Sequence, residues 1–190
     1  MQRVPALLSI ILLMSLAHAH AQNRREPIRL CVSTLQNSSG TVVYTTGQRN
    51  QLIKAFERIN KGKDVTKGKA ARIETVLLES NTETDPAVRE NNCQFILHTN
   101  VVEVIDAGTS DIANPRPRPI VIGSAPNDPR VNAPNDNRAT VTYRIMRAGE
   151  LKEWASGEVA AHDPLPDAML ISHLMDRTAD RVVSELRESR

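Results

Sequence analysis

Apolar and β-branched residues mix with polar ones over the longest uninterrupted stretch between residues 92 and 106, and no proline or glycine occurs there before Gly108. Such a run predicts a strand, and its length and composition place it at the centre of a sheet. Shorter stretches of the same character predict four more strands, at residues 27–35, 72–78, 139–145 and 151–159. The last two are separated by a turn at Gly149 and form a hairpin.

The first helical pattern lies between the first two strands. Turn residues at 36–40 break the chain, and Thr45 or Thr46 can then cap a helix that should stop at Gly62. Its apolar positions recur at helical spacing and are Leu52, Ile53, Phe56 and Ile59.

Two further helices complete the pattern. A short one at residues 84–92 has Asp85 as its cap and Pro86 at its first position. A long one opens at residues 163–167 and should cover one sheet face with an apolar stripe made of Ala168, Ile171, Leu174, Met175, Thr178, Val182 and Leu186.

The order β-α-β-α-β-β-β-α predicts an α/β fold on the border of α+β. Right-handed crossovers make the first three strands parallel, and the hairpin adds two more to a single mixed sheet of about five strands. The long carboxyl-terminal helix packs on one face. At 190 residues the chain fits one domain.

Residues 1–21 have the layout of a secretory signal peptide. Arg3 gives a positive start, residues 7–16 form an apolar core too short to span a bilayer, and cleavage can follow Ala19 or Ala21. An uncleaved membrane anchor is the alternative. We expect residues 22–190 to form a soluble, exported domain without a further membrane segment.

Cys31 and Cys93 are the only cysteines. An oxidising compartment favours a disulfide between them, which would join two neighbouring strands. Two buried free thiols or a metal site are the alternatives, although the chain has no CxxC or ordered histidines beside them.

Residues 108–138 change character, with six of the eleven prolines among Asn, Asp and Gly. The segment predicts an insertion that is either an unstructured long hairpin or a recognition loop. Trp154 is either a core or rim residue, or a platform for a ligand. The candidate partner-binding residues are Arg116, Arg118, Ile120, Val121, Ile122 and Trp154.

Aromatic residues make up 3% of the chain, so the core must be aliphatic. A net charge of +2 gives no strong field for nucleic acid or anionic lipid. Residues 61–69 are rich in lysine and glycine, but they depart from the phosphate-loop spacing and follow a helix. We interpret them as an exposed basic turn, with a docking patch for an acidic partner as the alternative.

The residues show no recognisable catalytic constellation. The mature chain has no HExxH or GxSxG motif around its candidate side chains, which are His98, His162, His173, Ser33, Ser38 and Ser39. A catalytic carboxylate pair near the insertion could be formed from Glu103, Asp106 and Asp111, but a solvated strand end is the simpler interpretation. We expect no cofactor and no metal.

The element order resembles the small exported domain shared by three groups of bacterial proteins. They are the curli-secretion lipoproteins, the penicillin-binding-protein activator lipoproteins and the amino-terminal domain of the Tol periplasmic translocation protein. Residues 28–40, 93–104, 141–145 and 149–157 carry the resemblance. The chain departs from it by lacking a lipid-anchor cysteine and by its large proline-rich insertion.

The resemblance implies a periplasmic or secreted, non-enzymatic accessory protein of the cell envelope that acts by contact with an unidentified protein. A likeness of fold cannot name that partner. The alternative is a secreted hydrolase with an atypical carboxylate or histidine site.

Overall fold

A computed structural model describes residues 25–82, 86–105, 137–150, 152–163 and 165–188. The strands are β1 Ile28–Val32, β2 Gln36–Asn37, β3 Ile73–Leu77, β4 Phe95–Ile105, β5 Asn137–Arg147 and β6 Lys152–Asp163. The helices are α1 Thr45–Asn60, α2 Lys63–Thr66, α3 Pro86–Glu90 and α4 Asp167–Glu188. The predicted leader lies outside the described residues, and so does the insertion apart from Asn137 and Arg138, which begin β5.

The strands form one mixed sheet in the order β3-β1-β4-β5-β6. β1 pairs in parallel with β3 and β4, whereas β5 and β6 add antiparallel strands. The predicted fold class, the central position of β4 and the closing hairpin are therefore confirmed.

β2 is an addition to the predicted pattern. Residues 36–40 were expected to form only a turn, but Gln36 and Asn37 pair in parallel with Asn100 and Val101. Val32 pairs with Leu97 and Gln36 with Asn100, so the β1–β2 side carries one more residue than β4 between these pairs. This extra residue is a bulge, which lets the chain continue along β4 before it turns away.

The main core lies between one sheet face and the two long helices. Ile28, Leu30 and Val32 of β1 point to this face together with Leu97 of β4, and all are fully buried. α1 covers it with Leu52 and Phe56, and α4 with its apolar stripe. Ala168 was predicted to belong to the stripe but is exposed, whereas Leu170, Ala179 and Val183 are buried there.

The opposite sheet face carries a smaller apolar cluster around a disulfide between Cys31 and Cys93, whose Cα atoms are 5.7 Å apart. The predicted bridge is confirmed. Cys93 lies three residues beyond the end of α3 at Glu90 and directly after Asn92. Asn92 adopts a left-handed conformation (φ 52°) that asparagine tolerates better than most residues. The bridge thereby fastens the five-residue α3 to the sheet.

The predicted helix boundaries differ in detail. α1 begins at Thr45, but Tyr44 occupies the cap position and no side chain caps it there. α1 ends at Asn60, as expected from Gly62, which is also the N-cap residue of the single-turn helix α2. Asp85, the expected cap of α3, lies outside the described residues.

Candidate interaction surface

One end of the molecule collects the ends of several elements. β4 finishes there at Ile105 and β5 begins at Asn137, so residues 106–136 are inserted between them at this end. α1 and α4 both begin there, and the side-chain amide of Gln48 donates to the carbonyl of Ala168 at 3.2 Å. We call it the insertion end.

Four exposed apolar side chains lie at the insertion end. Val42 is 100% exposed, Tyr44 76%, Met169 57% and Ile105 42%. The hydroxyl of Thr41 lies 3.4 Å from the carbonyl oxygen of Val104, which places the segment before α1 beside the end of β4. We call these four residues the end patch. Leu77 is the one other large apolar residue exposed in the described chain, and it lies on the edge strand β3.

Tyr44 lies beside a glycine of α1. Its ring lies against Gly47, and a side chain at Gly47 would collide with it. Gly47 therefore leaves room for the ring beside the first turn of the helix. Exposed apolar groups in a cluster mark contact sites more often than isolated ones do.

Two carboxylates of the polar sheet face near the insertion end have protein partners. Glu103 accepts from Thr140 at 3.1 Å and forms an ion pair with Arg138 at 3.2 Å. Farther along, Glu153 accepts from Ser156 and Arg144, and these two hydrogen bonds lower the pKa of its carboxyl group. These carboxylates are occupied in structural contacts.

The candidate catalytic residues do not converge. His98 lies opposite Arg144, which lies opposite Ser156, and His162 is six residues, or about 20 Å, farther along β6. His173 is exposed on α4. No group of potential metal ligands assembles within the described residues. Asp106 and Asp111, the other two proposed carboxylates, lie outside them.

The candidate serines serve the backbone around β2. The buried hydroxyl of Ser33 donates to the carbonyl of Leu97 at 3.0 Å, inside the bulge. The hydroxyl of Ser38 meets the side chain of Asn100, and Ser39 donates to Asn37 at 2.7 Å. These hydrogen bonds give the three serines a structural role.

Trp154 lies far from the insertion end. It occupies a bulge in β6, where its ring meets Phe95 edge-on at a centroid distance of 5.6 Å and stacks under Arg147 at 4.7 Å. Phe95 begins β4 and Ile105 ends it, which separates Trp154 from the end patch by roughly 30 Å. The structure therefore does not bring Trp154 together with the place where the insertion is attached.

The other candidate contact residues, Arg116, Arg118, Ile120, Val121 and Ile122, lie outside the described residues. Val42, Tyr44 and Met169 were not recognised from the sequence. The available signal was the apolar run at 42–44 between turn residues and a helix, which does not show whether those side chains are buried.

Among the described helices, not one has the length and hydropathy needed to cross a bilayer.

No protein-family model matches the chain, and no curated protein matches it by sequence. Among solved structures, it is similar to a chain of the PelC dodecamer from Paraburkholderia phytofirmans, with a TM-score of 0.50 and 10% identity over 85% of this chain and 88% of that one. It is also similar to lipoprotein GNA1162 from Neisseria meningitidis, with a TM-score of 0.43 and 11% identity over 82% and 96% of the two chains. The LpoB carboxyl-terminal domain from Salmonella enterica gives a TM-score of 0.42 and 11% identity over 76% and 90%.

At identities near 10% this likeness concerns the fold alone. The expected resemblance is confirmed as a likeness of fold.

Proposed function

We propose that this protein is a non-enzymatic accessory protein of the bacterial cell envelope, exported to the periplasm, that acts by contact with another protein. The observation that carries the proposal is the end patch: Val42, Tyr44, Ile105 and Met169 are exposed together where the insertion joins the sheet. Four of the five exposed large apolar residues of the described chain gather at this one end.

Exposed aromatic and methionine side chains in one patch are the composition expected at the centre of a protein interface. Tyr44 supplies a rigid ring and Met169 an adaptable side chain. The adjoining insertion adds an apolar island, Ile120, Val121 and Ile122, preceded by Arg116 and Arg118. A fitting partner would present an apolar groove with an acidic rim.

The occupant could instead be a second copy of this chain. PelC, whose chain has this fold, forms a dodecamer. We favour a different protein because the arginines of the insertion call for an acidic rim, whereas Glu103 and Glu153 of the sheet are already paired with Arg138 and Arg144. Sedimentation velocity of the purified protein distinguishes the two occupants, since self-association would appear without any partner.

The test is site-specific photo-crosslinking in the native envelope. A photoreactive residue at position 44 should trap one protein, whereas the same residue at position 77, an exposed apolar site outside the end patch, should not. The triple variant Val42→Ser, Tyr44→Ser, Met169→Ser should lose co-purification with that protein, and Leu77→Ser should keep it. Equal capture by the triple variant would refute the role of the end patch.

Two further variants separate the remaining candidates. Deletion of residues 110–136 tests the insertion, and we expect loss of capture with folding intact. Trp154→Ala tests the separate candidate on β6. Because Trp154 lies roughly 30 Å from the end patch, one small partner cannot touch both, and its loss should leave capture at position 44 unchanged.

A further inference from the structure

Lysine is unevenly placed in this chain. Only six lysines occur among the 24 basic residues, and four of them are Lys61, Lys63, Lys67 and Lys69. All four are exposed. The ion pairs formed within the described residues use arginine throughout, at Arg29, Arg58, Arg138, Arg144 and Arg147.

The segment that carries the four lysines is held by its own backbone. Lys67 donates to the carbonyl of Lys63 across the single turn of α2, and Lys69 and Ala70 both donate to the carbonyl of Asp64. Gly68 adopts a φ of +72°, which reverses the chain toward β3. The lysines are therefore presented together on a fixed turn, which we call the lysine turn.

A groove of about 900 Å³ adjoins the lysine turn and adds Arg25 and Arg72 to its cations. The carboxylates nearby are Glu26, Glu57, Asp64 and Glu74, of which Glu74 is already paired with Arg29 at 3.5 Å. The net charge of the whole chain is only +2, so it does not reveal the excess of positive charge on this surface.

The lysine turn lies at the opposite end of the molecule from the end patch. α1 runs between them, and its 16 residues span about 24 Å. Residues 25–27 line the groove and lie directly before β1 at the same end. The expected leader is therefore attached to the fold beside the lysine turn.

We propose that the lysine turn binds the phosphate groups of an anionic membrane surface, so that the end patch faces away from the bilayer toward its protein partner. Clusters of four or more basic residues favour anionic headgroups, and each lysine near such a surface strengthens binding roughly fivefold. Protein interfaces usually centre on a buried anchor residue, and Val65, the one large apolar side chain within the turn, is already half-buried. The orientation relative to a partner rests on the proposed function; the binding itself does not.

The test is co-sedimentation of the purified mature protein with vesicles. The wild type should bind vesicles of phosphatidylcholine containing one third phosphatidylglycerol at low salt, should be released at high salt, and should not bind pure phosphatidylcholine. Replacing all four lysines of the turn by glutamine should reduce binding to the anionic vesicles at least about tenfold. Replacing them by arginine should preserve it, because the charge is kept.

Thermal unfolding checks that both quadruple variants fold, which we expect because the four side chains are exposed. Equal binding by the glutamine variant, or no binding of the wild type to anionic vesicles, overturns the proposal. Binding of the wild type to immobilised polyglutamate but not to vesicles would also overturn it, in favour of an acidic protein. Partner capture at position 44 is measured separately, so failure of one proposal does not conceal failure of the other.

Discussion

The ring of Tyr143 lies across Gly157 on the neighbouring strand. The two residues are directly paired in β5 and β6, and a Cβ atom at Gly157 would lie 2.6 Å from Oη and 2.7 Å from Cζ of Tyr143. Tyr143 is buried beneath α4. Glycine is needed here for space, because any side chain would displace an aromatic ring from the core.

We expect Gly157→Ala to lower the free energy of unfolding by about 1–3 kcal/mol, the usual range for overpacking a core. Urea denaturation measures the change. The same substitution in a Tyr143→Ala background should cost much less, because the ring that causes the collision is gone. An equal cost in both backgrounds would show that the contact with Tyr143 is not the cause.

Tyr143 also gives an expected pH dependence. Burial, aided by the nearby charge of Glu185, raises the pKa of Tyr143 above its ordinary value. Above about pH 10 the unfolded chain loses this proton while the folded chain retains it, so the stabilisation present at lower pH declines as the pH rises through the folded-state pKa.

We expect the free energy of unfolding to fall more between about pH 9 and about pH 11 for the wild type than for Tyr143→Phe. The chain has two tyrosines, so Tyr44→Phe leaves Tyr143 as the single source of tyrosinate absorbance for a direct titration. Parallel pH profiles for the wild type and Tyr143→Phe would contradict the expectation.

The fold could be predicted from the sequence wherever the apolar residues follow a clear strand or helix pattern. The β-branched run of β4 and the apolar spacing of α4 each fix an element and its buried face. β2 could not be predicted, because Gln36 and Asn37 are turn-forming residues by composition. They pair because β4 extends beyond the end of β1 and leaves backbone groups there that need partners.

The disulfide holds the smaller apolar cluster together. Cys31 and Cys93 are 62 residues apart in sequence, and both are buried with Leu78, Val88 and Ile96. The double variant Cys31→Ala, Cys93→Ala should lose about 4 kcal/mol of stability by the chain-entropy model. Hydrogen exchange should increase most in α3, which is too short to persist without the bridge.

Reduction provides the control for that prediction. Dithiothreitol should shift the unfolding midpoint of the wild type toward that of the double variant and leave the variant unchanged. A variant as stable as the oxidised wild type would show that packing around Leu78 and Val88 holds the cluster without the bond.

The candidate surface was less predictable than the fold. Proline content marks residues 108–138 in the sequence, but the exposure of Val42, Tyr44 and Met169 depends on how two helices distant in sequence begin side by side. The separation of Trp154 from that surface depends on the direction of β6. Neither relationship follows from local pattern, because each is set by pairing between distant segments.

Asn60 protects the outer edge of the sheet at β3. Its side-chain amide donates to the carbonyl of Ile73 at 2.7 Å, and its side-chain oxygen accepts from the amide of Ile73 at 2.9 Å. The side chain thus takes the place of a neighbouring strand for one residue. Unpaired backbone groups at a sheet edge invite association with other chains.

Asn60→Ala should remove both hydrogen bonds and lower the free energy of unfolding by about 1–3 kcal/mol, because the partly buried backbone groups of Ile73 lose their partners. Asn60→Asp keeps the acceptor for the amide of Ile73 but turns its second carboxylate oxygen toward the carbonyl of Ile73, so it should also be less stable than the wild type. Light scattering should show more association for the alanine variant than for the wild type at equal concentration, since the edge is now open at Ile73. An alanine variant as stable as the wild type would show that these two hydrogen bonds contribute nothing measurable.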